Sequence, residues 1–429
     1  MSSTTRDIEQ RSERKELPEG WRWIRLGEVC ELNPRRPFID RHDSELTSFI
    51  PMESVDAVLG VVSSIRERPY GEVKNGYTFF AEADVLFAKI TPCMQNGKHA
   101  IAVGIIDGIG FGTTEFHVIR PSESIISEFI WFFVRQPIVL ADAIKHFTGA
   151  IGQQRVPEGY LAELEIPLPP LSEQQRIAAI LNDQMGAVEK ARTAAQERLR
   201  AIKALPAAFL RQIFPDIDQP IPYGWRWVKL GELCDPTKGS SRIGPFGSSL
   251  RKDELSESGI PVIGIENILP NRFESIFRRY LSPVKYSQLV EYTVKPGDVL
   301  VTTMGTIGRC AVVPDSIETA IIDSHLFRFR LNLSEAVPAF ICYTINGFED
   351  LKRQLEKKSS GAIMAGLNTT ILRDCLIPLP PLPDQQRIAV QLKAQMVAVE
   401  KARKAAEAEL KAINALPAAL LRRAFNGEL

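Results

Sequence analysis

The side chains that most often carry catalysis or bind metal ions are present in this chain, but their spacing forms no recognised site. A metal-dependent nuclease needs clustered acidic side chains with a lysine, and the nearest candidate, Asp56 with Glu72 and Lys74, has a spacing that often arises by chance. The histidines share no metal-ligand spacing, and no Cys-x-x-Cys pair occurs, which favours reduced thiols over disulfides or zinc. The histidines are His42, His99, His117, His146 and His325, and the cysteines are Cys30, Cys93, Cys234, Cys310, Cys342 and Cys375.

Two glycine-containing segments do not fit nucleotide-binding loops. Gly97-Lys98 is followed by a histidine and lacks the upstream glycine of a P-loop, and Gly108-Ile-Gly-Phe-Gly does not match the dinucleotide fingerprint. Asn33-Pro-Arg-Arg matches no motif that flips and methylates a base. The sequence therefore indicates a protein that recognises a partner, although an enzyme with an unrecognised site stays open.

The composition is that of a soluble globular protein with more than one domain. The chain has 429 residues, 45% hydrophobic and 24% charged, with a formal net charge of zero. This balance argues against a protein that binds nucleic acid indiscriminately through excess basic charge. Lysine and arginine number 14 against 20 acidic residues in 17–165, and 19 against 17 in 221–376. Any binding of nucleic acid must therefore use local patches.

Two motifs occur twice and organise the chain. Ile166-Pro-Leu-Pro-Pro-Leu-Ser-Glu-Gln-Gln-Arg-Ile-Ala returns from Ile377 with two changes, and Gly20-Trp-Arg-Trp-Ile-Arg-Leu-Gly-Glu returns from Gly224. The first pair is offset by 211 residues and the second by 204, so the stretch between the motifs is seven residues longer in the second copy. A constant frame therefore carries two unlike stretches.

The repeat predicts the limits of the parts. Residues 1–16 are predicted to be a polar N-terminal arm without the apolar segment of a signal peptide, and no apolar run has the length of a membrane span. The predicted parts that follow are the first variable block (17–165), a central helical segment (166–214), a linker (215–220), the second variable block (221–376) and a C-terminal helical segment (377–429).

Each Ile-Pro-Leu-Pro-Pro motif precedes a long helical pattern. In the first copy, Ser172 is predicted to be the N-cap with Gln175 completing a capping box, and Pro206 is predicted to end the helix. Both copies have heptad spacing with a glutamine at the same place, which favours mutual pairing as a coiled coil over two separate amphipathic helices. The core positions chosen are Ile177, Leu181, Gln184, Val188, Ile202, Ile388, Leu392, Gln395, Val399 and Ile413.

The variable blocks read as mixed α and β structure. Short β-branched runs bounded by glycine, proline or aspartate recur, such as Asp84-Val-Leu-Phe-Ala in the first block and Gly297-Asp-Val-Leu-Val-Thr in the second. These runs predict strands with turn punctuation. A helical stretch is predicted late in each block, near 126–146 and near 338–357.

The doubled pattern Ile-Pro-Leu-Pro-Pro-Leu-x-x-Gln-Gln-x-Ile, with its long helix and a preceding block that opens with Gly-Trp-x-Trp-x-x-Leu-Gly, resembles the specificity subunit of type I restriction-modification enzymes. The resemblance covers the chain from about residue 17 to about residue 425. Asp84-Val-Leu-Phe-Ala-Lys-Ile-Thr-Pro-Cys-Met and Gly149-Ala-Ile-Gly-Gln-Gln-Arg-Val-Pro are also similar to the family's target recognition domains.

The resemblance implies an α+β fold in which two globular α/β target recognition domains alternate with two long helices. These helices would pair as an antiparallel coiled coil, giving a pseudo-two-fold internal repeat. Each domain would read one half of an asymmetric bipartite site in double-stranded DNA. A helix of about 34 residues is about 50 Å long, longer than the roughly 34–36 Å of one DNA turn.

The resemblance also implies a non-catalytic, cytoplasmic subunit that does not bind a membrane. It would direct adenine methylation or restriction by two methyltransferase (M) subunits and by motor-nuclease (R) subunits. S-adenosylmethionine, ATP and magnesium would belong to those partners, so no cofactor or metal is expected on this chain.

Under this resemblance, polar loop residues are the candidates for base contacts, because the major groove is read by hydrogen bonds from such side chains. For each single residue, an ordinary solvated loop position is slightly favoured, whereas for the loops as groups DNA contact is favoured. The alternative for the whole chain is a scaffold built on the same repeat that does not read DNA. The candidates are Lys89, Thr91, Gln95, Asn96, Lys98, Thr113, Thr114, Gln153, Gln154 and Arg155 in the first block, and Lys238, Ser240, Ser241, Arg242, Arg251, Thr303, Thr306, Arg309, Asn368, Thr369 and Thr370 in the second.

Overall fold

The structure, a computed structural model, describes residues 17–150, 152–215, 217–305, 307–359 and 369–429. Its contacts divide the chain into two units, Met1–Gln196 with Ala408–Leu429, and Glu197–Glu407. Each unit therefore combines one variable block with parts of both long helices. In these described ranges, no helix is long and apolar enough to cross a membrane.

The first unit contains ten strands and five short helices before the first long helix, among its described residues. The strands are β1 (Arg22–Arg25), β2 (Cys30–Leu32), β3 (Leu46–Ile50), β4 (Arg66–Pro69), β5 (Thr78–Ala81), β6 (Val85–Ala88), β7 (His99–Ile101), β8 (Ile109–Gly112), β9 (Phe116–Pro121) and β10 (Glu165–Leu168). The helices are α1 (Leu26–Val29), α2 (Tyr70–Val73), α3 (Ser127–Val134), α4 (Pro137–Lys145) and α5 (Glu158–Glu163), followed by the long α6 (Leu171–Ile213), which continues into the second unit.

The second unit has a similar plan, in which several strands have only two residues. Its strands are β11 (Arg226–Lys229), β12 (Ser241–Ile243), β13 (Ile260–Ile263), β14 (Ile268–Leu269), β15 (Arg272–Phe273), β16 (Tyr280–Leu281), β17 (Val299–Thr302), β18 (Cys310–Val312), β19 (Ile321–Ile322), β20 (Leu326–Phe329) and β21 (Leu376–Leu379). Its helices are α7 (Pro283–Gln288), α8 (Pro338–Gly347), α9 (Glu349–Ser359), α10 (Thr369–Arg373) and the long α11 (Leu382–Phe425), whose end belongs to the first unit.

The two variable blocks share the strand order of one four-stranded sheet, although their sequences differ, and each has a second sheet with one parallel strand pair, of four strands in the first block and three in the second. In the first block, one sheet has the order β2-β9-β6-β7 and another has the order β4-β3-β8-β5, with β3 and β8 parallel. In the second block the corresponding orders are β12-β20-β17-β18 and β16-β13-β19, with β13 and β19 parallel. The α+β prediction with an internal repeat is confirmed.

A buried carboxylate pairs with a partly exposed guanidinium at the same place in both blocks. Arg120 donates from Nε and Nη2 to the carboxylate of Asp84 at 2.9 and 2.7 Å, just before β6 begins. Arg330 makes the same two bonds to Asp298 at 2.9 and 2.8 Å, just before β17 begins. Bidentate pairs of this kind fix geometry as well as charge, so they hold the central strand against its neighbour.

The doubled motifs pair with each other at the edge of each block. The tryptophan motif forms β1, and the proline motif forms β10, with Trp23 opposite Pro167. In the second copy β11 pairs with β21 in the same register, with Trp227 opposite Pro378. The two motifs recur together because each closes its block and leads into the long helix.

The first glutamine of each Gln-Gln pair locks the helix start to the block. Gln174 is fully buried; its Oε1 accepts from the Ile126 N–H at 3.0 Å, and its Nε2 donates to the Ser124 and Pro169 carbonyls at 2.9 Å. Gln385 makes the equivalent bonds, accepting from the Val337 N–H and donating to two carbonyls at 2.9 Å.

Two local predictions for the first long helix are wrong. The helix already begins at Leu171, and the Pro170 carbonyl accepts from the N–H groups of Glu173 and Gln174, so Ser172 lies inside the helix and is not its cap. Pro206 does not end the helix either, since α6 runs on to Ile213. The lost hydrogen bond at the proline is offset because Leu210, in the following turn, is buried.

The long helices are antiparallel in each unit, as predicted. In the first unit, Ile177 and Leu181 near the start of α6 share a core with Leu421 and Phe425 at the end of α11. In the second unit, Leu210 near the end of α6 shares a core with Ile388 and Leu392 near the start of α11. The predicted core positions Val188 and Val399 are also buried, and Ile202 and Ile413 are half-buried.

Phe214 directly follows α6 and Phe425 is the last residue of α11, and each aromatic ring is buried in a block. Phe214 lies 5.9 Å from Phe340 and 6.2 Å from Phe348 between ring centroids, inside the second unit. Phe425 lies 4.9 Å from Phe129 and 5.3 Å from Phe133, inside the first unit. The repeated Leu-Pro-Ala-Ala segment therefore leads into an anchoring helix end that packs on a core.

Candidate nucleic-acid interface

The three loops predicted to read bases in the first block lie together. They follow β6 (89–98), follow β8 (113–115) and follow α4 (148–156). The Lys89 N–H donates to the Glu115 carbonyl at 2.9 Å, and the Val156 N–H donates to the Lys89 carbonyl at 3.0 Å. The Thr91 N–H donates to the Gln154 carbonyl at 3.0 Å, so backbone bonds join all three loops into one surface.

An ion pair between two of the loops holds this surface. Arg155 donates from Nε and Nη2 to the two carboxylate oxygens of Glu115, at 2.9 and 2.7 Å. The hydrogen bonds from Arg155 hold the pKa of the Glu115 carboxyl below its ordinary value and raise the pKa of Arg155. Arg155 therefore positions loops first and offers little free charge.

The two predicted lysines are both half-buried in the block. Lys89 is half-buried, and burial lowers the pKa of its ammonium, while Glu115 and Glu158 act in the opposite direction. Lys98 donates from Nζ to the Met52 carbonyl at 3.0 Å. The bond from Lys98 orients its side chain without neutralising its charge, whereas burial disfavours the charged form of Lys89.

The exposed members of the predicted set are mostly neutral hydrogen-bonding groups. The Thr91 hydroxyl, half-buried, donates to Gln95 Oε1 at 2.7 Å, which orients the exposed Gln95 amide. The Thr113 hydroxyl accepts from the Glu115 N–H at 3.2 Å, and the Gln154 side chain is half-buried. The predicted residues that face solvent most openly are Gln95, Asn96, Thr114 and Gln153.

The sequence analysis missed a cluster beside these loops. Asn33 Nδ2 lies 3.0 Å from His117 Nδ1 and donates to Glu158 Oε2 at 2.6 Å, and His117 Nε2 lies 2.8 Å from the Val156 carbonyl. Burial lowers the pKa of His117, which favours a neutral ring that accepts at Nδ1 and donates from Nε2. No sequence pattern reveals this cluster; in the structure Asn33 has a positive φ, a backbone conformation that asparagine adopts more readily than most residues.

In the second block, part of the predicted set is structural. Ser240 is buried, and its carbonyl accepts from the Arg330 N–H at 2.7 Å. Arg242 pairs with Glu291 at 2.5 Å, and its guanidinium lies 5.3 Å from the centre of the Tyr292 ring. Thr303 is buried, and its N–H donates to the His325 carbonyl at 2.8 Å. Its hydroxyl has no hydrogen-bond partner among the described residues.

Other members of that set lie on several exposed loops. The Ser241 hydroxyl accepts from Arg373 Nη1 at 2.8 Å, which joins β12 to α10. Lys238, Arg251 and Thr370 are exposed, Arg251 near Asp253 and Glu254, whereas Arg309 and Thr369 are half-buried. Thr306 and Asn368 lie outside the described residues.

The matched topology points to a loop in the second block that sequence reasoning missed. Residues 323–325 precede β20 as residues 113–115 precede β9. Asp323 is buried and pairs with Arg279 at 2.9 Å, and its Oδ2 lies 3.5 Å from His325 Nδ1. The equivalence of loops 323–325 and 113–115 is visible only when the strand orders of the two blocks are compared, because the two loop sequences share no pattern.

The structure gives no support to catalytic clusters in its described parts. Asp56 caps a turn by accepting from the Val58 and Leu59 N–H groups, while Lys74 pairs with Asp43 at 2.5 Å. Within those described ranges, no group of three or more histidine, cysteine or acidic residues could hold a metal ion. Burial raises the pKa of the Cys30 thiol to about 12, which makes it unreactive.

Comparisons with known proteins agree with this architecture. The profile of the type I restriction modification DNA specificity domain matches residues 18–197 and 222–409. The chain therefore belongs to this family and carries two copies of its characteristic domain. The two matched stretches each take in one variable block and most of the long helix that follows it.

Relatives match over part or nearly all of their length. The chain is 40% identical over 171 residues to the type I restriction enzyme EcoEI specificity subunit of Escherichia coli, which is 40% of this chain and 28% of that relative. The match to the EcoAI specificity subunit spans 29% of its length. The MjaVIII specificity subunit of Methanocaldococcus jannaschii is 25% identical over 413 residues, covering 91% of this chain and 89% of the relative.

Two solved structures are similar over the whole chain. One comes from a study of complex assembly and conformational transition of the type I R-M system, with a TM-score of 0.76, 25% identity and coverage of 97% of this chain and 100% of that one. The other is the HsdS subunit from Thermoanaerobacter tengcongensis, with a TM-score of 0.65, 25% identity and coverage of 97% and 99%. The fold and the specificity-subunit family are therefore established.

Proposed function

We propose that this chain is the DNA-recognition subunit of a type I restriction-modification complex and that each variable block reads one half of an asymmetric bipartite site. The observation that carries the proposal is the repetition of one sheet topology with unlike loops. A constant frame with different loops suits a protein that reads two different sequences. In the first block, the exposed amides of Gln95, Asn96 and Gln153 are the groups available to base edges.

The chain acts without catalysis or a cofactor of its own, in the cytoplasm. Two methyltransferase subunits supply adenine methylation and its S-adenosylmethionine, and motor-nuclease subunits supply ATP- and magnesium-dependent restriction of foreign DNA. Assembly with such partners is supported by the similar chain from a study of type I complex assembly. The zero net charge fits a reader whose partners contribute much of the phosphate contact.

A scaffold that does not read DNA is the second candidate. The observation in its favour is that Lys98 and Arg155 bond to groups within the block and that Lys89 is half-buried. The two candidates differ in one outcome, since only a DNA reader determines which adenines are methylated.

Methylation sequencing of host DNA, with and without the gene for this chain, tests the proposal. We expect one bipartite motif with unlike halves to lose its adenine methylation on deletion and to regain it on complementation. Complementation with a chain whose first block (17–165) comes from a relative should change only one half of the motif. No change in the methylated motifs on deletion would favour the scaffold.

A further inference from the structure

The segment 33–38 of the first block is exposed beyond its first two residues. Pro34 is buried, whereas Arg35 and Arg36 are exposed and Phe38 has 93% of its surface exposed. Neither guanidinium forms an ion pair with a described residue. Arg36 donates from Nη1 to the Lys74 carbonyl, which orients the side chain without neutralising its charge.

Asn33 ties this segment to the loop surface. Its backbone is left-handed, with φ of 46°, and its Oδ1 accepts from the Val118 N–H at 3.0 Å. Its Nδ2 group contacts His117 and Glu158, and His117 in turn bonds to the Val156 carbonyl. The segment therefore leaves the block beside the loop that ends at Val156, at a fixed angle.

The distribution of charged residues in the first variable block indicates which ligand the segment 33–38 binds. The first variable block has 14 basic against 20 acidic residues, so it repels DNA unless uncompensated cations face the phosphates. Arg155 pairs with Glu115, and the half-buried Lys89 is influenced by the charges of Glu115 and Glu158. Lys98 bonds to the Met52 carbonyl, which orients it without neutralising its charge. Beside these loops, Arg35 and Arg36 are the adjacent arginines whose charge stays available.

We propose that Arg35 and Arg36 bind backbone phosphates of the DNA at the half-site read by the first block, and that Asn33 is the positioning residue that aims them. The proposal rests on the proposed function. Two arginines in succession suit phosphate oxygens, because guanidinium groups donate in a planar fork. Phosphate contacts fix the register of a protein on the duplex and carry no sequence information, so they complement the exposed amides of the loops.

The test uses the complex with its methyltransferase subunits and two fluorescent duplexes, one with the methylated motif and one scrambled. Binding is measured by anisotropy over a series of salt concentrations. For the double variant Arg35→Gln/Arg36→Gln, we expect the slope of log affinity against log salt to become shallower by about 1.8, or 0.9 for each lost phosphate contact. Affinity should fall by the same factor for both duplexes, and the methylated motif should not change.

Arg22→Gln is the matched control, because Arg22 is an exposed arginine of the same block on β1 and has no ion pair with a described residue. It should leave the slope unchanged. An unchanged slope in the double variant overturns the proposal, and so does a loss of subunit assembly with an unchanged slope, which would assign the arginines to a protein partner. A wild-type complex that binds both duplexes equally contradicts the proposed function instead, and the slope on either duplex still tests the arginines.

Asn33→Gly separates positioning from folding. Glycine adopts the left-handed backbone without strain but lacks the amide that contacts His117 and Glu158. We expect the salt slope to become shallower by between about 0.9 and 1.8, because the arginines are no longer aimed. A variant that is less stable but keeps the wild-type slope would show that Asn33 serves the fold alone.

Discussion

At the scale of single residues, the pair formed by Glu115 and Arg155 has two effects, one on stability and one on recognition. Replacing Glu115 by glutamine removes the charge that holds Arg155. We expect a loss of no more than about 1 kcal/mol in the free energy of unfolding, because the pair is partly exposed and screened. We expect a larger effect on discrimination, with about tenfold weaker preference for the correct half-site of the first block only. Competition binding with duplexes mutated in one half-site measures it.

The stability effect of Glu115 has a defined pH dependence. Because the folded pKa of this carboxyl is lowered, its contribution is present above the unfolded pKa, near 4.3, and disappears as the pH falls through the folded pKa. The difference in unfolding free energy between wild type and Glu115→Gln should therefore shrink below about pH 4. A difference that persists or grows there would contradict the assignment.

Gln174, which is buried, and Gln175, which is exposed, allow a matched comparison of two alanine variants. Gln174→Ala leaves the Ile126 N–H and the Ser124 and Pro169 carbonyls without their buried partner, so we expect a loss of about 2–3 kcal/mol in unfolding free energy. Gln175→Ala should change it by less than about 0.5 kcal/mol, because Gln175 is exposed. Urea unfolding of both variants measures this. Equal losses would mean that the doubled glutamine acts through helix propensity.

Residue-level prediction from the sequence succeeded for the position of the loops and was incomplete for the roles of their side chains. Polar residues after strands predicted three loops, and the structure brings these loops together. The partners of Lys89 and Arg155 depend on contacts between distant segments, which one sequence does not encode in a readable pattern. The same is true of Asn33, whose partners His117 and Glu158 lie 84 and 125 positions away.

At the scale of elements, the ends of the long helices are anchors. Phe425→Ala removes the ring that packs on Phe129 and Phe133, so we expect the first unit to lose about 3 kcal/mol of stability. Leu416→Ala is the control, because Leu416 lies in the same helix and is exposed. Unfolding followed by urea should show a large shift in midpoint for the first variant only. Similar shifts in both would mean that helix content outweighs the buried ring.

Strands and helices could be predicted where the local sequence pattern determines them. They could not be predicted where they depend on pairing with a distant segment. The strand signal of Asp84-Val-Leu-Phe-Ala corresponds to β6, and that of Gly297-Asp-Val-Leu-Val-Thr corresponds to β17. The parallel pairing of β3 with β8 joins segments about 60 residues apart and had no local signal. The prediction that Pro206 ends the helix was wrong. A proline removes one backbone hydrogen bond, but buried contacts of the following residues keep the helix continuous.

At the scale of the whole molecule, the shared topology of the variable blocks explains the pattern of repetition. The tryptophan and proline motifs pair with each other, and Gln174 and Gln385 fix the helix starts, so these positions serve the same contacts in both copies. The loops make different contacts in each block and differ in sequence. The repeated parts are therefore those that hold the frame together.

The length of the long helices should set the gap between the two half-sites. Deleting one heptad from each helix, residues 188–194 and 399–405, keeps the antiparallel register and shortens each helix by about 10 Å. That length corresponds to about three base pairs at about 3.4 Å each, so we expect both half-site sequences to stay the same while the gap loses about three base pairs. Inserting one heptad in each should lengthen the gap equally.

Methylation sequencing of cells carrying each variant measures the gap. The control replaces exposed Lys190 and Lys401 by alanine and should leave the gap unchanged. An unchanged gap after deletion would show that the helices do not set the spacing.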